Sequence, residues 1–128
     1  MQSILFVGAD FGLYRSLKVI LNKYACIYSV SLPDGIRQFN QQQFCLLILD
    51  LSRIDSDAAG QEELLHSFRR AHPVPIIALC DNMENSNIVR LLGAGADQIL
   101  DAQGPADILA AYTHQSIYPV GHSGVGAK

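Results

Sequence analysis

Acidic residues stand where apolar runs give out. Asp50 closes the run Leu46-Leu47-Ile48-Leu49 and is followed by Leu51-Ser52. Gly8-Ala9-Asp10 follows Ile4-Leu5-Phe6-Val7, Cys80-Asp81-Asn82 follows Pro75-Ile76-Ile77-Ala78-Leu79, and Asp101-Ala102-Gln103 follows Gln98-Ile99-Leu100. A carboxylate at a strand end can accept a phosphoryl group or hold a divalent cation. It can equally cap the strand and bond the next loop, and the residue types leave both readings open. Other chemistry is thin. Cys26, Cys45 and Cys80 are widely spaced without a CxxC, which suits reduced, buried thiols better than a disulfide framework. Cys80 at a strand end is expected to be inert. His66, His72, His114 and His122 are scattered, and no His/Cys pair has zinc spacing. Gly8-Ala9-Asp10-Phe11-Gly12 is neither a P-loop nor a GxGxxG turn, which argues against a nucleotide- or flavin-binding enzyme. No nucleophile, base and orienter come together, so the chain is not expected to be an enzyme.

The elements that position these residues alternate. Three apolar runs, at 4–7, 46–49 and 75–79, are continuous, as strands buried on both faces of a parallel sheet should be. Residues 26–30 and 98–100 are weaker strands. Between them lie helical faces: Leu13, Leu17, Ile20, Leu21 and Tyr24; Leu64, Leu65 and Phe68; Ile88, Leu91 and Leu92; Ile108, Leu109 and Tyr112, opened by Pro105. Pro33-Asp34-Gly35 starts a more polar helix that ends in Gln41-Gln42-Gln43. Five β-α units predict an α/β, doubly wound parallel sheet with helices on both faces, a three-layer sandwich. In such a sheet the functional crevice lies beyond the carboxyl ends of the strands.

Composition bounds the rest. The 128 residues suit one domain, expected over 1–117, with the Gly-rich 118–128 a mobile tail or the start of a linker. Only 16% of residues are charged and the net charge is −3, so a general nucleic-acid binder with a basic face is not expected. No apolar run approaches the roughly 18 residues of a membrane span, and the N-terminus lacks signal-peptide organisation. A cytoplasmic protein without membrane or nucleic-acid contact is the expectation.

At Leu49-Asp50-Leu51 and Leu92-Gly93-Ala94-Gly95-Ala96-Asp97 the sequence resembles the receiver domain of two-component response regulators. The resemblance covers residues 3 to 114 and includes the interval from Cys80 to Gly95. It implies a flavodoxin-like, CheY-like fold with strand order 2-1-3-4-5. It also implies a phosphoacceptor at Asp50, a histidine kinase or effector protein as partner, and an output face made of helix 4, strand 5 and helix 5. Many receivers precede a DNA-binding domain, so the chain is expected to be part of a signal-transduction protein, such as a transcription regulator.

Against that pattern the site is eroded. The two acids that follow the first strand and hold Mg²⁺ in receivers are Gly8 and Ala9 here. Asp10 lies one place later, where capping the first helix competes with joining Asp50 at a weakened Mg²⁺ site. The hydroxyl, aromatic and lysine switch positions are Cys80, Ile99 and Ala102, with Gln103 in place of proline. A thiol is a poor donor, and phosphoryl transfer depends on metal and cation neutralisation. The loop after Asp50 is about two residues longer than usual by the same resemblance. Arg53 can fold back over Asp50 there, and Asp55 or Asp57 can supply carboxylates, although a solvated loop is the plainer reading. Two functions follow. One is a pseudo-receiver acting by protein interaction or homodimerisation through helix 4, strand 5 and helix 5, with Arg90 and Asp97 near the interface and no obligatory cofactor. The other is a working receiver phosphorylated on Asp50 with Mg²⁺.

Overall fold

The computed structural model describes residues 2–52, 57–71 and 73–117. Arg53 and Asp55 in the loop, His72, and the expected tail at 118–128 therefore lie outside the described residues. Strands β1 (Ser3–Val7), β2 (Ala25–Ser29), β3 (Leu46–Asp50), β4 (Ile76–Cys80) and β5 (Gln98–Asp101) alternate with helices α1 (Phe11–Ile20), α2 (Leu32–Gln41), α3 (Ala58–Ala71), α4 (Asn85–Gly93) and α5 (Ala106–Ile117). All strand pairs are parallel, in the order β2-β1-β3-β4-β5. The strand order reverses between β1 and β3, so the crevice beside their carboxyl ends is where a doubly wound sheet places its chemistry.

The pleat sorts the core into two layers. Leu5 and Val7 of β1 join Phe39 of α2, Leu65 and Phe68 of α3 and Leu91 of α4. Ile4 and Phe6 point the other way, to Tyr14 and Leu17 of α1 and Leu109 and Ala110 of α5. Every residue of β3 and β4 is buried, as continuous apolar runs require.

Local chemistry sets the helix starts. The Asp10 carboxylate accepts the Leu13 N–H at 3.0 Å and caps α1. Ser31 caps α2 by accepting the Asp34 N–H, and Pro33 sits in the first turn. Gly35 presses α2 onto the sheet: a Cβ there would lie 2.8 Å from a Val7 methyl. The Pro105 carbonyl accepts from Ile108 and Leu109, placing the proline at the cap, one residue before α5.

Some helical faces differ from expectation. α1 stops at Ile20, whose side chain is exposed, and Leu21 and Tyr24 reach the core from the following turn. Tyr14 takes the buried place because the inward face runs through Tyr14, Leu17 and Leu21. Leu92, Ile108 and Tyr112 are also exposed, while Ala110 and Thr113 are buried beside Leu109.

Candidate functional site at the carboxyl ends of the strands

Asp50 ends β3 and is only 2% exposed. Its Oδ1 accepts the Ser52 N–H at 2.9 Å and the Ser52 hydroxyl at 2.6 Å. The carboxylate thus ties the first turn of the loop to the strand. Among the described residues no donor reaches Oδ2. The roof is the backbone of Gly8: a Cβ at that position would stand 2.6 Å from the Asp50 Cβ, 3.3 Å from the Phe6 ring and 3.4 Å from the Asp50 Cγ. Gly8 therefore fills, with main chain, space that a side chain at the end of β1 would contest.

Asp10 and Asp50 lie close enough to act on the same phenol. The Tyr28 hydroxyl is held above its ordinary value, chiefly by burial and then by the charges of Asp10 and Asp50. Tyr28 stacks on Tyr14 with ring centroids 4.7 Å apart and meets Phe11 edge-on at 5.4 Å. An aromatic group therefore borders the crevice on the β2 side.

Cys80 ends β4. Burial pushes its thiol up, and the charges of Asp101 and Asp81 push it further. The thiol donates to the Asn82 carbonyl at 3.4 Å, and Asn87 approaches its sulfur at 3.9 Å. A neutral thiol facing the Asn82 carbonyl is a poor donor for an oxyanion. At the end of β5, the Asp101 carboxylate accepts the Gln103 N–H at 2.9 Å, and the Gln103 amide reaches Asp81 at 3.4 Å. Ala102 points into the α1–α5 layer, and Ile99 is buried in the opposite layer. Neither position offers the crevice a polar group.

For Mg²⁺ the described residues offer few ligands: Asp10 already caps α1, Gly8 and Ala9 have only backbone carbonyls to give, and no group of three His, Cys, Asp or Glu suited to a metal occurs among the described residues. Asp57 lies away from this task, accepting the Gly60 N–H at 2.8 Å at the start of α3.

The two charged residues expected near an interface are engaged within the chain. Arg90 donates to the Ala58 carbonyl at 2.9 Å, to Glu62 at 3.0 Å, to Gln61 at 3.4 Å and to Asn87. It thereby ties α4 to the start of α3 and lines a polar cleft of about 410 Å³ with Ser52, Asp81 and Asn82. Asp97 accepts the Ile76 N–H at 2.7 Å and pairs with Arg69, which also donates to the Gly95 carbonyl at 2.7 Å and the Val74 carbonyl at 3.0 Å. That brace lies at the amino end of β4, opposite the crevice. Gly95 serves it with a φ of 126°, a backbone that disfavours a side chain.

Sequence reasoning did not find the Ser52 and Gln103 contacts, the Gly8 roof or the Arg69 brace. A serine two places after a strand-end aspartate is a readable turn signal. The Arg69–Asp97 pair, spanning 28 positions, has no local signal.

No protein-family model matches the sequence, and no curated protein matches it. Solved structures match it in fold. A two-component response regulator from Clostridium difficile is 20% identical, with a TM-score of 0.80 over 94% of this chain and 98% of its own. A CheY-like receiver domain protein from Methanospirillum hungatei is 23% identical, with a TM-score of 0.77 over 91% and 94%. A response regulator from Burkholderia pseudomallei, solved with a phosphorylated aspartic acid and a calcium ion, is 16% identical, with a TM-score of 0.75 over 99% and 72%. At these identities the likeness is one of fold, and the fold is that of response regulator receivers.

Proposed function

We propose that this chain is a non-enzymatic signalling module of the receiver class that works by contact with other proteins and without phosphorylation of Asp50. The observation that carries the reading is the state of the acceptor. Asp50 is buried under the Gly8 backbone, one of its oxygens is spent on Ser52, and among the described residues no lysine or metal-binding carboxylate set stands beside it. A phosphoryl group adds about two negative charges, and the one cation lining the neighbouring cleft among the described residues, Arg90, is already paired with Glu62.

The contact surface in this reading is the one flanking β5. Val89 and Leu92 lie three apart on α4, Ile108 and Tyr112 four apart on α5, and all four large side chains remain exposed. Arg90 and Asp97 contribute rigidity to the frame rather than charge to the partner. The partner is a protein, either an effector or a second copy. No helix among the described residues is long and apolar enough to cross a membrane, and the cytoplasm is the compartment this reading assigns.

One observation favours the alternative of a phosphorylatable receiver: Oδ2 of Asp50 takes no hydrogen bond from the described residues, leaving an oxygen for an incoming group. Incubation with acetyl phosphate and Mg²⁺, read by intact mass, separates the two. The proposed function predicts no mass gain and no beryllofluoride binding; a gain of one phosphoryl group that is lost in Asp50→Asn refutes it. For the interaction itself, light scattering over a concentration series tests the homodimer version, which a strict monomer refutes.

A further inference from the structure

Helices α1 and α5 lie side by side on one face of the sheet. Beyond Ile20 the chain turns through Leu21–Tyr24, and a groove of about 370 Å³ opens between that turn and α5. Its base is apolar, with Leu21, Tyr24 and Ala110 buried and Ile20 and Ala111 along the rim. The Tyr24 hydroxyl and His114 Nδ1, 3.0 Å apart, join the turn to α5.

Two full charges line this groove, Lys23 and Asp107. They do not pair with each other or with any other side chain among the described residues. Among the described residues Asp107 accepts only the N–H of Ile108, and Lys23 makes no hydrogen bond. Arg37, Arg69, Arg70 and Arg90 are paired with acids, whereas Lys23, like Arg15 and Lys18, has no acid partner among the described residues. An apolar base with one cation and one anion at its edge, in a volume typical of small-molecule sites, complements a molecule with the same three features.

We propose that this groove binds a small zwitterion with an apolar side chain, for which an α-amino acid is the simplest form. The ligand carboxylate faces Lys23, its ammonium faces Asp107, and its side chain covers Ile20, Leu21, Ala110 and Ala111. The site is separate from Asp50 and does not rest on the proposed function.

The test is an amide NMR titration of the full chain with leucine and phenylalanine, and with isocaproate and isoamylamine as analogues lacking one charge each. The expected result is saturable shifts confined to Ile20–Tyr24 and Asp107–His114. Affinity falls about three- to fivefold for either analogue, and by a similar factor in Lys23→Met or Asp107→Asn, as partly exposed ion pairs should. Ala111→Leu fills the groove and abolishes the shifts; the two charge variants keep the test decisive if that variant unfolds. No saturable shift with either amino acid overturns the proposal, as do shifts indifferent to both charge variants. Shifts at these residues that follow protein concentration instead assign the groove to a second copy, and overturn it too.

Discussion

Adding one methyl group at Gly8 tests the closed-site argument most directly. In Gly8→Ala the new Cβ would stand 2.6 Å from the Asp50 Cβ, more than 1 Å inside the usual carbon–carbon contact of about 3.5–4.0 Å. The atom it meets cannot rotate away. Cβ is fixed to the main chain of β3, which is paired with β1 on one side and β4 on the other. The Phe6 ring at 3.3 Å blocks a second direction. Relief must come from separating the ends of β1 and β3, so the overpacking cost falls at about 2 kcal/mol, the middle of the usual range. For a chain of this length that lowers Tm by about 7 °C.

The assay is thermal and urea unfolding of four variants: Gly8→Ala, Gly93→Ala, Asp50→Gly and Gly8→Ala/Asp50→Gly. Gly93→Ala is the control: its Cβ meets nothing within 4 Å, so the variant should hold or gain stability by up to about 1 kcal/mol. In an Asp50→Gly background the opposing Cβ is absent, and the cost of Gly8→Ala should shrink by about 1–2 kcal/mol. A Gly8→Ala variant within about 0.5 kcal/mol of the wild type, with no coupling to position 50, would refute the close approach. The same geometry predicts that Gly8→Asp/Ala9→Asp, which restores the acid pair typical of receivers, loses stability and still takes up no phosphoryl group.

Three further outcomes follow from single contacts. Asp97→Ala should cost about 2–3 kcal/mol in urea unfolding, because it strips a charged partner from the Ile76 N–H and from Arg69; Arg69→Ala added to it should cost less than its own single effect. Iodoacetamide should modify Cys80 in the folded chain only at higher pH than in urea, and Asp81→Asn should move that onset down, since burial and then the Asp101 and Asp81 charges hold the thiol up. The Asp34 carboxyl is held below its ordinary value of 3.8 by the Ser29 hydroxyl and then Arg37. Its contribution to stability is therefore present above 3.8 and lost as pH falls through the lower folded value, and an NMR titration should find Ser29→Ala moving that value up.

The sheet was legible because its signal is local. Four- and five-residue apolar runs at regular spacing allow few arrangements other than buried parallel strands. The strand ends place Asp50, Cys80 and Asp101 at one edge of that sheet. Helical faces were read less well where length decided the answer. Ile20 fits the period of α1 but falls on the last residue of the helix, and the chain turns before Leu21 and Tyr24 can share its face. Arg90 and Asp97 read from sequence as charges near an interface because a lone charge carries no sign of its partner. Glu62 and Arg69 stand 28 positions from Arg90 and Asp97 respectively, and only tertiary packing brings them together. Gly8 was visible as a missing acid, but not as a close approach, since the distance between two strands is absent from the order of residues in either.

What the receiver-like sequence features do here divides along the length of the strands. Gly95 and Asp97 act at the amino ends: a positive φ turns the chain out of α4, and one carboxylate holds the β4 N–H and Arg69 together. Gly35 lets α2 seat against Val7. Each of these is a packing or backbone requirement, met whether or not phosphoryl chemistry occurs at the other end. At the carboxyl ends every change runs toward self-sufficiency. Asp10 caps a helix, Asp50 bonds Ser52, Asp101 bonds the Gln103 N–H, and Gln103 reaches Asp81. Carboxylates that would wait for Mg²⁺ and lysine in a working site are given backbone or side-chain donors from their own loops. In the proposed reading such a crevice has little to gain from an incoming phosphate and its own hydrogen bonds to lose, which favours one fixed surface beside β5 over a surface that switches.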